Sequence, residues 1–174
     1  VPGVSDQLIA VAHQYEKGLM STQEFTNFFS SQFGVSVSEL VFAWNSILLN
    51  FPRNRFSFLK ELYNSKKYRL FLLSNTNDLH ISWIQNNWGL KQYMEFKNCF
   101  EQFYLSHEIN LRKPDNEIYE FALNENNLIA EETLFIDDLK ENTAAAGAMG
   151  IHTWNLIPHQ EDVTQLFIKK QHLF

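Results

Sequence analysis

Apolar positions change their spacing about a third of the way along the chain. Up to about residue 50 they recur at helical intervals: Leu8, Ile9, Ala12 and Tyr15, then Phe25, Phe28 and Phe29, then Leu40, Val41, Trp44, Ile47 and Leu48. Gly18 and Gly34 punctuate the series. Ser21 with Glu24 and Ser36 with Glu39 each match Ser-x-x-Glu, the capping box in which two side chains satisfy the orphan amides of a helix start. No run in this part reads as a strand. Helices with such broad apolar faces must pack on one another or on a second body, so residues 1–52 read as a helical cap or lid.

After Phe51-Pro52-Arg53-Asn54, which reads as a linker, short continuous apolar runs alternate with helical patterns. A helix over 56–65 leads into Arg69-Leu70-Phe71-Leu72-Leu73, a buried strand that ends in Ser74-Asn75-Thr76-Asn77. A helix carrying Leu79, Ile81, Trp83 and Ile84 follows, then a weaker strand candidate over 100–105. Arg112-Lys113-Pro114-Asp115 opens a helix through Leu123, with Pro114 in its first turn. Leu134-Phe135-Ile136 is a third apolar run, and it stops at Asp137 and Asp138. The next helix is rich in small residues (Ala144, Ala145, Ala146, Gly147, Ala148), which lets its backbone lie close to a sheet, and Gly150 is its expected stop. A strand at 151–154 and a helix over 163–170 close the chain. This alternation predicts an α/β core over 53–174, with a parallel sheet and right-handed crossovers.

Composition narrows the partners. The 174 residues include sixteen Phe and four Trp, enough for a real core, and the formal charge of −6 is offset by no basic run. That excludes nucleic acid and an anionic membrane surface as partners, and no apolar stretch reaches membrane-spanning length. Cys99 is the single cysteine, so an internal disulfide is excluded and a cytoplasmic setting is expected. The six histidines show no zinc-binding spacing.

Three polar groups then stand at strand or loop ends: Ser74 with Asn75, Lys113, and Asp137 with Asp138. A hydroxyl and helix-start amides bind phosphate oxygens, a lysine adds positive charge, and paired carboxylates suit Mg²⁺. In a parallel sheet such ends share one edge, so Ser74 Oγ, Lys113 Nζ and the Asp138 carboxylate are expected around one cavity. Each group also has a purely structural reading: Ser74 as a helix cap, Lys113 as a surface residue, Asp138 as a cap and Asp137 as solvated.

The stretches LFLLSNT, RKPDNEIY and LFIDDLKEN, in that order, resemble the haloacid dehalogenase (HAD) superfamily of hydrolases, most closely its small sugar-phosphate phosphatases and the phosphatase domain of soluble epoxide hydrolases. The resemblance implies a Rossmann-like parallel sheet with flanking helices and a small helical cap. It implies a Mg²⁺-dependent phosphomonoester hydrolase acting on a small phosphorylated metabolite such as a sugar phosphate. Ser74, Asn75 and the adjacent amides would hold phosphoryl oxygens, and Lys113 would neutralise the transferring group. Asp138 would bind Mg²⁺ directly, Asp137 would orient metal-bound water, and Asn142 would reach the site from the first helical turn. The family's nucleophile is the first aspartate of an Asp-x-Asp motif on a central first strand. The aspartates here are Asp6, Asp78, Asp115, Asp137, Asp138 and Asp162, and none belongs to such a motif. The resemblance therefore places the nucleophile outside these residues and implies that, by themselves, they are inactive and poorly stable. The alternative is a catalytically inactive phosphate-binding or interaction protein. A response-regulator receiver is excluded by the order Ser, Lys, Asp-Asp, and the acidic pair favours metal and phosphate over dehalogenation.

Overall fold

A computed structural model describes the backbone of residues 2–174 and side chains from Asp6 onward. In chain order the elements are α1 (Pro2–Glu16), α2 (Thr22–Phe33), α3 (Val37–Asn45), α4 (Arg53–Ser65), β1 (Phe71–Ser74), α5 (Asp78–Trp88), α6 (Leu90–Lys97), β2 (Gln102–Leu105), α7 (Ser106–Ile109), α8 (Asn116–Glu125), β3 (Leu134–Asp137), α9 (Lys140–Ala148), β4 (His152–Asn155) and α10 (Leu166–Lys169). Among the described residues all strand pairing is parallel, in two ladders, β1 with β2 and β3 with β4. The chain divides into two compact units, Val1–Phe51 with Lys60–Arg112, and Pro52–Leu59 with Lys113–Phe174.

In the first unit both capping boxes close. Each serine Oγ accepts from the glutamate N–H three residues on, and each glutamate carboxylate accepts from the serine N–H at 2.9 Å. The serine side chain, and then its amide, hold Glu24 and Glu39 below the usual carboxylate range. With α1, the helices started this way bury an apolar cluster of Tyr15, Phe25, Phe29 and Leu40. Tyr15 stacks on Phe25 at 4.1 Å and Trp44 meets Phe25 edge-on. The Tyr15 hydroxyl also accepts from the Leu79 amide at 3.2 Å, so the helical cluster is fastened to the start of α5. In the β1–β2 ladder Phe71 stands opposite Gln102 and Ser74 opposite Leu105.

Two helices in this unit were not expected. Gly89, at φ +77°, ends α5 and begins α6, a change of direction that the apolar spacing alone did not reveal. The short α7 follows β2 directly. Gly18 is the position where glycine is required: its φ is +65°, and a Cβ there would collide with the His107 carbonyl oxygen. Gly18→Ala is therefore expected to cost more than about 1 kcal/mol, seen as a lower urea midpoint at unchanged slope.

In the second unit β3 and β4 pair from Leu134 opposite His152 to Asp137 opposite Asn155. Ala146 is fully buried, and Gly147 faces Thr153 of β4. A methyl at Gly147 would sit 3.7 Å from the Thr153 side chain, an ordinary contact, so small size matters on this face and glycine itself does not. Ile118 and Tyr119 of α8 and Trp154 of β4 are buried as well. Two sequence expectations change here. Pro114 lies outside the helix, because Asp115, with ψ 135°, is the N-cap and α8 begins at Asn116. The expected closing helix is a 3₁₀ turn, Val163–Gln165, followed by the single turn α10. Asp162 caps that turn and takes an ion pair from Arg55 at 2.8 Å.

Candidate functional site

The apolar run of β3 carries the chain to Asp137 and leaves that carboxylate at the carboxyl end of the strand. Asp137 is not solvated: its side chain is 7% exposed and that of Lys113 is 9% exposed. Lys113 Nζ donates to Asp137 Oδ2 at 2.6 Å, while the Leu139 amide and Asn142 Nδ2 both donate to Oδ1 at 2.9 Å. The whole charge of the carboxylate is thus engaged. This is a buried ion pair with its remaining lone pairs satisfied, the arrangement such a pair needs if the loss of water is to be offset. The Lys113 ammonium also lies 5.3 Å from the centre of the Phe135 ring.

Asn142 is brought to Asp137 rather than to Asp138. It is buried, and its Oδ1 has no hydrogen-bond partner among the described residues. Behind it, the Tyr119 hydroxyl donates to the Asn142 carbonyl at 2.9 Å. Burial, reinforced by the negative charge of Asp137, pushes the Tyr119 phenol well above its ordinary pKa, so it remains a donor. Tyr119 escaped sequence reasoning because its only signal was an apolar helix face.

Asp138 contrasts with its neighbour. It is exposed, and among the described residues no hydrogen bond or ion pair reaches its carboxylate; its backbone carbonyl accepts from Asn155 Nδ2 at 2.8 Å. It does not cap α9 either, whose N-cap is Leu139 with no side-chain bond. The structural readings of Lys113, Asp137 and Asp138 therefore fail. The two carboxylates are all-oxygen donors, and among the described residues no group of three or more His, Cys, Asp or Glu is gathered for a metal. Such a donor set fits Mg²⁺, which takes one or two carboxylates and completes its shell with water and phosphate, and does not fit a closed zinc site.

Ser74 and Asn75 belong to the first unit, at the carboxyl end of β1, and both are half-buried. Ser74 caps nothing: the N-cap of α5 is Asn77, whose Oδ1 accepts from the His80 amide at 3.1 Å. Asn77 is fully buried and also receives Trp44 Nε1 at 3.4 Å. His80 stacks on Trp44, and burial holds its pKa below the usual histidine value. The neutral ring donates from Nε2 to the Trp44 carbonyl and accepts at Nδ1 from Asn77. Ser106, fully buried, accepts from the Thr76 amide at 2.9 Å and donates to the Thr76 carbonyl at 3.0 Å. The contacts of Trp44 with Asn77 and His80, and of Ser106 with Thr76, had no sequence signal, because the partners lie about 30 residues or more apart. An apolar hollow of about 690 Å³ on α3, lined by Val37, Val41, Phe42 and Leu48 with Trp83 of α5, includes none of the predicted site residues.

No helix among the described residues is long and apolar enough to cross a membrane. Residues 14–156 match the model of the haloacid dehalogenase-like hydrolases. A D-ribitol-5-phosphate phosphatase of Bacteroides thetaiotaomicron is 26% identical over 83% of this chain and 70% of its own length. A sesquiterpene phosphatase of Aspergillus oryzae is 29% identical over 79% of this chain and 68% of its own. Among solved structures, a HAD family enzyme of B. thetaiotaomicron in complex with magnesium and inorganic phosphate superposes with TM-score 0.78 and 35% identity, covering 88% of this chain and 77% of that one.

Proposed function

Since the chain belongs to the haloacid dehalogenase-like hydrolase family, we propose that it acts as a Mg²⁺-dependent phosphatase on small phosphomonoesters, with sugar or polyol phosphates as the substrate class. The observation that carries this reading is the buried cluster of Lys113, Asp137 and Asn142 beside the exposed carboxylate of Asp138. An ammonium fixed in place by a buried carboxylate is suited to neutralise a transferring phosphoryl group. The two named relatives are phosphatases, and the solved neighbour holds magnesium and phosphate.

In this reading each residue has a separate task. Ser74 Oγ and Asn75 hold phosphoryl oxygens, and Lys113 offsets their charge. Asp137 fixes Lys113 and, through water, the metal; Asp138 holds the metal directly; Asn142 fixes the orientation of Asp137. Mg²⁺, when bound, supplies further positive charge to the phosphoryl oxygens. Residues 1–52 serve as the cap and 53–174 as the core, and substrate choice belongs to the cap. The single buried, free Cys99 accords with a cytoplasmic setting.

The test is hydrolysis of a generic phosphomonoester, then of a panel of polyol and sugar phosphates, by the natural full-length polypeptide, with Mg²⁺ and with a chelator. Turnover that disappears with the chelator and returns with Mg²⁺ is expected. Phosphate binding without turnover would instead establish an inactive phosphate-binding protein.

A further inference from the structure

The Ser74 loop is held by a residue that belongs to the neighbouring strand connection. Leu105 is the ladder partner of Ser74 and the last residue of β2, and Ser106 comes immediately after it. Where the ladder stops, the Ser106 side chain continues it: one hydroxyl accepts from the Thr76 amide and donates to the Thr76 carbonyl, at 2.9 and 3.0 Å. A hydroxyl suits this double task because it carries one donor and two acceptor positions on a single short side chain. The group is fully buried, so water cannot replace it. Ser74 is therefore fixed by the ladder, Thr76 by Ser106, and Asn77 by its cap on α5. Asn75 is the residue between fixed points.

We propose that Ser106 is a positioning residue for the phosphate-holding segment Ser74–Asn75, setting its backbone before substrate arrives. The proposal rests on the phosphatase reading above. A loop preset in this way need not be reordered when a phosphate binds, whereas a loose loop loses affinity and rate together.

The experiment compares wild type, Ser106→Ala, Ser106→Cys and Thr26→Val in the natural full-length polypeptide. The cysteine variant keeps the packing and weakens the bonds, and serves if the alanine variant does not fold. Thr26 donates within α2, so Thr26→Val removes a buried hydroxyl elsewhere. Three quantities are measured: kcat/KM on a generic phosphomonoester, the inhibition constant of inorganic phosphate, and hydrogen exchange at the Thr76 amide. Both Ser106 variants are expected to lose about 10- to 100-fold in kcat/KM, the range typical of outer-sphere supports. They should also bind phosphate more weakly and lose protection at Thr76, while Thr26→Val keeps wild-type kinetics. Folded Ser106 variants whose kcat/KM and phosphate inhibition stay within twofold of wild type would overturn the proposal, whatever happens to exchange, and leave the phosphatase reading intact. A wild type that neither hydrolyses the ester nor binds phosphate would overturn both.

Discussion

Asp137→Asn is expected to destabilise the protein by about 3 to 5 kcal/mol, because it leaves the Lys113 ammonium buried without its counter-charge. Equilibrium urea unfolding is the measurement. Lys113→Met should cost a similar amount from the other side, by stranding the Asp137 carboxylate. The double change Lys113→Met with Asp137→Asn removes both charges at similar volume, keeps an acceptor for the Leu139 amide and Asn142 Nδ2, and should recover most of the lost stability, since no buried charge is then left unpaired. It should recover no turnover. Purely additive losses in the double variant would mean that the pair is not coupled, against the 2.6 Å contact.

The second large effect separates the two neighbouring aspartates. Asp138→Asn is expected to abolish Mg²⁺-dependent turnover, by about 100-fold or more, while changing stability by no more than about 0.5 kcal/mol, as for an exposed residue whose carboxylate has no partner among the described residues. Asp137→Asn should reduce turnover by about 10- to 100-fold, as outer-sphere partners of a metal do. One change thus strikes chemistry and spares the fold; the other strikes both. Titrating Mg²⁺ against rate in the two variants, alongside their unfolding curves, checks this. Equal and negligible effects on rate would remove both residues from the site.

Much of the architecture was legible because it is local. The capping boxes at Ser21 and Ser36 consist of residues three apart, and the apolar runs before Ser74 and Asp137 are continuous, so spacing alone identifies the helix starts and the buried strands. What misled were features decided by backbone angles. Pro114 is compatible with a first helical turn, and only the extended ψ of Asp115 puts it outside. The segment from Val163 has helical periodicity, yet Asp162 caps a 3₁₀ turn there.

The candidate site divides in the same way. Residue types and order, with Ser74 and Asn75, Lys113, and Asp137 with Asp138, were present in the sequence, as was the spacing that offers Asn142 from the first turn of α9. Which of two adjacent aspartates is buried could not be read there, because both stand in the same local context and both could cap or coordinate. Tertiary structure decides it: Lys113, 24 residues earlier, arrives at Asp137 and not at Asp138, and Asn142 turns to the same carboxylate. The same holds for Ser106 and Thr76, and for Trp44 and Asn77. A hydroxyl or an indole carries no sign of its partner until the chain has closed a loop of some thirty residues around it.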